Sequence, residues 1–135
     1  MKDFDMKAVR LVAAFDLLVT LPMAVPGLSE YYTAWLLSGF GLLQSPADWL
    51  PLPLSTAVFV VLAGILAVLW NGARVLRPDL VLLVRGDCAG RCTVAAAFAY
   101  FLLARDAPAV LWLFVVTELA GSAVEGRALR SIQSK

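Results

Sequence analysis

Apolar residues fall into four long blocks separated by polar or proline-rich breaks. The first runs from Val9 to Val25 (VRLVAAFDLLVTLPMAV) and is closed by Pro26-Gly27. The second, Leu54 to Ala73, reads LSTAVFVVLAGILAVLWNGA and is the cleanest. The third, Cys88 to Ala104, is CAGRCTVAAAFAYFLLA, and the fourth, Pro108 to Gly126, is PAVLWLFVVTELAGSAVEG. A helix must be about 17–25 residues long to cross a bilayer. Each block meets that length. The pattern predicts an all-α integral membrane protein, a four-transmembrane-helix bundle with spans at about 9–25, 54–73, 88–104 and 108–126. The whole chain, 1–135, then forms a single transmembrane domain. The first block lacks an A-x-A-like cleavage site and carries an acid in mid-span, so it is not read as a removable signal.

Two apolar runs are too short to cross. Tyr32 to Leu43 (YTAWLLSGFGLL) predicts an interfacial or re-entrant helix in the first outer loop. The aromatics Tyr31, Tyr32, Trp35 and Trp49 around it favour headgroup depth. Pro46, Pro51 and Pro53 break any helix before the second span. Leu80 to Val84, between Arg77 and Arg85, reads as a short juxtamembrane helix.

Composition agrees with the pattern. Hydrophobic residues make up 61% of the chain and its mean hydropathy is +0.85. A soluble domain this small has too little interior to hide that much apolar surface. With a net charge of +1, no basic excess points to nucleic acid. Histidine is absent, which removes histidine-ligated haem or zinc, Ser-His and Cys-His pairs and imidazole relays. Cys88 and Cys92 have neither a redox nor a zinc-ribbon spacing and read as packing residues. Gly39-Phe40-Gly41 lacks the GK[ST] element of a phosphate loop. The chain therefore predicts no cofactor and no metal.

Charge orients the spans. Ten of the eleven basic residues lie before the first span, between the second and third, or after the fourth; Arg105 alone lies on the other side. The positive-inside rule makes the first side cytoplasmic, hence an N-in/C-in, multi-pass protein of the cell inner membrane. In this reading Arg74, Arg77 and Arg85 meet anionic headgroups, and Asp87 and Arg91 form a local ion pair at a helix start.

Two acids inside spans are the candidate functional groups. A carboxylate at bilayer centre costs about 2.5–3.5 kcal/mol, so it normally faces the bundle interior. Asp16 lies roughly 8–10 Å above the cytoplasmic border, and Glu118 roughly 13 Å above it, so the pair can share a cavity. Thr20 stacks near Asp16. Ser122 and Glu125 extend a polar stripe from Glu118. Asn71 and Tyr100 offer further donors from the second and third spans. Neither span carrying the acids has a Lys or Arg at their depth, which predicts that a proton or bound cation neutralises them. The plainer alternative is that both acids act as interhelical glue.

The layout resembles small four-helix bacterial inner-membrane proteins of the DoxX-like kind, which also start inside and carry an amphipathic first outer loop. The Phe15-Asp16 … Thr20-Leu21-Pro22 stretch is loosely similar to the first helix of the emopamil-binding/sigma-2 receptor (EXPERA) superfamily. That likeness implies intramembrane acids that bind amine or sterol-like ligands, without the histidine often found in that helix. The expected function is binding or transport of a hydrophobic or cationic small ligand, in contact with membrane lipids. So small a transporter implies a homodimer. Two alternatives are a lipid- or sterol-modifying enzyme using paired carboxylates, and a non-catalytic accessory subunit of a membrane complex.

Overall fold

The computed structural model describes residues 3–133, and they are helical, with no strand among them. Five helices carry the fold: α1 (Asp3–Thr20), α2 (Leu28–Leu37), α3 (Leu54–Leu76), α4 (Val81–Ala104) and α5 (Leu111–Gln133). α3 and α4 are long and apolar enough to cross a membrane. α1 with its extension, joined to α2, forms a further candidate bent by 119° at the break between them. α3 turns Leu54, Phe59, Leu66 and Leu76 outward, each at least two-thirds exposed. Surface of that kind needs an apolar environment to cover it.

The break after α1 follows from its sequence. Pro22 has no N–H to return to the Leu18 carbonyl, and the helix ends at Thr20 in a 3₁₀ turn, Leu21–Ala24. Gly27, at φ 83°, then reverses the chain into α2. The 3₁₀ turn lies on α3 at Gly64, where a Cβ would come within 2.4 Å of the Met23 carbonyl carbon. Only glycine allows that approach.

α2 begins and ends earlier than the hydrophobic pattern predicts. It covers Leu28–Leu37 rather than 32–43, because the chain curls at Gly39, Phe40 and Gly41, which all have positive φ. Ser38 pins the curl: its Oγ donates to the Trp35 carbonyl at 2.8 Å and accepts from Gly41 N at 3.0 Å.

The second correction concerns α4. Residues 80–84 do not make a separate juxtamembrane helix; Val81 to Val84 form the first turn of one continuous helix ending at Ala104. Pro78 is the last breaker before it, and nothing from Leu80 onward interrupts the backbone hydrogen bonds. Asp87 and Arg91 consequently sit well inside α4, one to three turns from its start.

α4 and α5 form an antiparallel hairpin, and α1 packs between α3 and α5. Val9, Val84 and Ala128 make a small apolar core at one end, where Ser131 Oγ also donates to Asp5 at 2.6 Å. The space between α3 and α4 is bridged by long side chains, Trp70 and Arg74 on one helix and Asp87 on the other.

Candidate functional site: a buried charge cluster

Six charged side chains from four helices meet inside this arrangement. Arg74 of α3 is wholly buried; its Nη1 donates to Asn71 Oδ1 at 2.9 Å and to Asp16 Oδ2 at 3.2 Å. Its Nη2 meets Asp87 Oδ2 at 2.9 Å and also pairs with Glu125 Oε1. Arg91 of α4 donates from Nε to Asp87 Oδ2 at 2.7 Å, from Nη1 to Glu118 Oε2 at 3.0 Å, and from Nη2 to Asp16 Oδ2. Trp70 Nε1 closes one side with a 2.7 Å bond to Asp87 Oδ1.

The pairing has a simple order. Asp16, Arg91, Asp87 and Arg74 alternate in a closed ring, each acid bridging both guanidiniums. That ring is neutral. α5 adds Glu118 and Glu125, two helical turns apart, so with all six groups ionised the cluster carries two surplus negative charges. Burying ions is costly unless every group is paired and hydrogen-bonded. All four ring members are ion-paired, while Arg74 Nε is buried without a hydrogen-bond partner. Glu125 Oε2 is buried without a hydrogen bond, and Arg91 Nε lies 4.0 Å from it. Glu118 lies at the rim with about a quarter of its side chain exposed.

Gly121 makes room for the ring. A Cβ there would stand 2.6 Å from Arg91 Nη1. The glycine thus lets the guanidinium lie flat across α5 between the two glutamates.

The candidates named from sequence divide into two groups. Asp16, Glu118, Asn71 and Glu125 come together, the two principal acids sharing the Arg91 guanidinium. Thr20 instead donates to the Asp16 backbone carbonyl at 2.8 Å. Ser122 joins a thiol pair: its Oγ donates to the Cys88 carbonyl at 3.3 Å and lies 3.2 Å from both Cys88 Sγ and Cys92 Sγ. Tyr100 stands more than two turns beyond Arg91, half exposed, edge-on to Phe101. It offers the acids no hydroxyl.

Three members of the cluster were not among the sequence candidates: Arg74, Asp87 and Arg91. The two spans that carry the acids hold no Lys or Arg at that depth, but two arginines arrive there from α3 and α4. Arg74 does not reach headgroups either, being sealed in the interior. The Asp87–Arg91 pair exists, but as part of the ring and not as a helix-start decoration. Cys92 is exposed and Cys88 half-buried, so neither is a sealed packing residue. A usable signal was present in the spacing: Asn71-x-x-Arg74 and Asp87-x-x-x-Arg91 put polar pairs on one face of otherwise apolar helices.

Arg77 and Asp79, in the turn before α4, form a separate exposed pair with two hydrogen bonds of 3.1 and 3.0 Å. The bond from Arg77 holds the Asp79 carboxyl below its ordinary value of 3.8. Among the described residues no group of three or more Cys, Asp and Glu converges in a way that would hold a metal ion.

Fold and site together define a helical protein with two helices long and apolar enough to cross a membrane and a charge cluster inside its helix packing. Comparison with protein-family models, curated proteins and solved structures finds no match to this chain.

Proposed function

We propose that this chain is a four-span, N-in/C-in protein of the cell inner membrane that binds or transports a hydrophobic or cationic small molecule at the charge cluster. The observation that carries the reading is the surplus of two carboxylates over guanidiniums in the cluster. In a low-dielectric interior that excess calls for positive charge from outside the chain. Glu118, at the accessible rim, is the group that meets an organic cation; Glu125 lies behind it.

Helix length supports the four spans. α5 has 23 residues, enough for about 34 Å, and α1 with its 3₁₀ extension is similar. Moving Arg74 and Arg91 into the interior leaves eight basic residues on the proposed cytoplasmic side against one outside, a bias that supports the same orientation. α2 then caps the outer end as the interfacial or re-entrant element, a layout in keeping with the DoxX-like resemblance.

The test uses tetraphenylphosphonium, a hydrophobic cation, with purified protein in nanodiscs. Binding is expected for the wild type and about tenfold weaker for Glu118→Gln, a loss of roughly 1.4 kcal/mol, at unchanged thermal stability. Equal binding by both proteins, or none above empty nanodiscs, would overturn it. The closed ring favours one second reading, an accessory subunit whose charges lock helix packing. That reading expects Glu118→Gln to be silent in binding.

A further inference from the structure

We propose a second, oppositely charged site: the groove between α4 and α5 binds a phosphate-bearing anion. The groove holds about 350 Å³ and is lined by Cys88, Ser122, Ala123, Gly126, Arg127 and Arg130. It lies on the face of α5 next to the one that carries Glu118, Gly121 and Glu125, toward the end of the hairpin that carries Val84 and Ala128.

Three observations point to an anion. First, Arg127 and Arg130 are three apart on α5, hence on neighbouring positions of one face, and both are exposed. Second, among the described residues neither meets a carboxylate, whereas Arg74, Arg77 and Arg91 each do. Paired guanidiniums with free donors match the oxygens of a phosphate, which they grip with two parallel bonds each. Third, the floor between them is small: a Cβ on Gly126 would meet nothing within 4 Å, so the space beneath the arginines is open. Its volume falls at the lower end of small-molecule sites.

The ring explains why the groove stays positive. Glu125, the nearest acid along α5, turns inward and pairs with Arg74, so its charge is spent on the neighbouring face of the helix. One face of α5 therefore carries surplus negative charge and another surplus positive charge. A phosphate-bearing anion has two sources here, the headgroup of an anionic phospholipid or a soluble phosphate ester.

The full chain is reconstituted in vesicles of phosphatidylcholine and phosphatidylglycerol, and retained lipid is counted by native mass spectrometry. In a parallel arm, glycerol phosphate is titrated into detergent-solubilised protein by calorimetry. Retention of phosphatidylglycerol over phosphatidylcholine identifies the lipid source; heat from glycerol phosphate alone identifies the soluble one. In whichever arm binds, Arg127→Gln/Arg130→Gln is expected to reduce occupancy at least about tenfold. Gly126→Leu fills the groove without changing charge and should have the same effect, while Arg105→Gln, at the opposite end of the hairpin, should have none. No binding in either arm, or binding that both groove variants leave intact, would overturn the proposal. The tetraphenylphosphonium measurement reads a different face of α5, so the two can fail independently.

Discussion

Arg74 and Arg77 stand three residues apart, and they meet opposite fates. Arg74 ends inside the helix packing with no exposed surface, shared among Asp16, Asp87, Glu125 and Asn71. Arg77 ends in the turn between α3 and α4, more than half exposed, with Asp79 as its single acidic partner among the described residues. Both are ion-paired arginines. In water the Coulomb gain is small and salt screens it; in a closed interior each charge depends on its partners, because nothing else solvates it. The same pairing is therefore structural in one place and incidental in the other.

The sharpest way to break this comparison is to remove a ring arginine. Arg91→Met strands Asp16, Asp87 and Glu118 beside one remaining guanidinium, and loss of one partner from a buried ion pair costs about 3–5 kcal/mol. A large drop in melting temperature or loss of monodisperse protein is expected, followed by chromatography and thermal unfolding in detergent. Adding Asp16→Asn should recover part of it. Wild-type stability in Arg91→Met would show that the ring does not hold the helices together.

A smaller effect is expected from crowding the ring. Gly121→Val pushes a side chain into the Arg91 guanidinium, and overpacking of this kind costs about 1–3 kcal/mol. Gly126→Ala, five residues on and facing open space, should be neutral or slightly stabilising, since alanine favours helix by up to about 1 kcal/mol. Equal melting temperatures for the two variants would contradict the packing seen around Arg91.

Trp70→Phe keeps the ring of carbon contacts and removes only the bond to Asp87, worth about 1 kcal/mol at this partly exposed position. Its signature is a modest fall in melting temperature that disappears when Asp87 is already Asn. Independent, additive losses would mean the indole does not act through that carboxylate.

The smallest effect belongs to Arg77→Ala, which should lower the melting temperature only slightly at neutral pH. Its sign with pH is fixed, because Arg77 lowers the Asp79 value. The pair's contribution is present above the ordinary carboxyl value of 3.8 and is lost as pH falls through the lowered one. Wild type and variant should thus converge in acid. A loss at neutral pH as large as that of Arg91→Met would erase the distinction between the two regions.

Much of the helical layout was legible in the sequence, because hydropathy and helix breakers act over one or two turns. The helix opening at Leu54 after Pro53 and the short connection before α5 both follow from neighbours in the chain, whereas the first span, read as unbroken to Val25, breaks at Pro22. Local reading went astray where charged residues interrupted an apolar run. With Arg85 and Asp87 between them, Leu80 to Val84 read as a separate juxtamembrane helix and the span as starting at Cys88, where one helix runs from Val81. A charge is tolerated inside a helix when another helix pairs it, and composition within a window does not register that partner. The ring itself was decided by tertiary structure alone. Asp16 meets Arg74 across 58 positions and Arg91 across 75, and which charges face one another depends on helix rotation and neighbour order. The sequence by itself determined that Asp16 and Glu118 needed a proton or a positive partner, since an unpaired carboxylate inside an apolar span is costly. Packing of α1 against α3 and α5, with α4 closing on α5, determined that two of those charges come from Arg74 and Arg91.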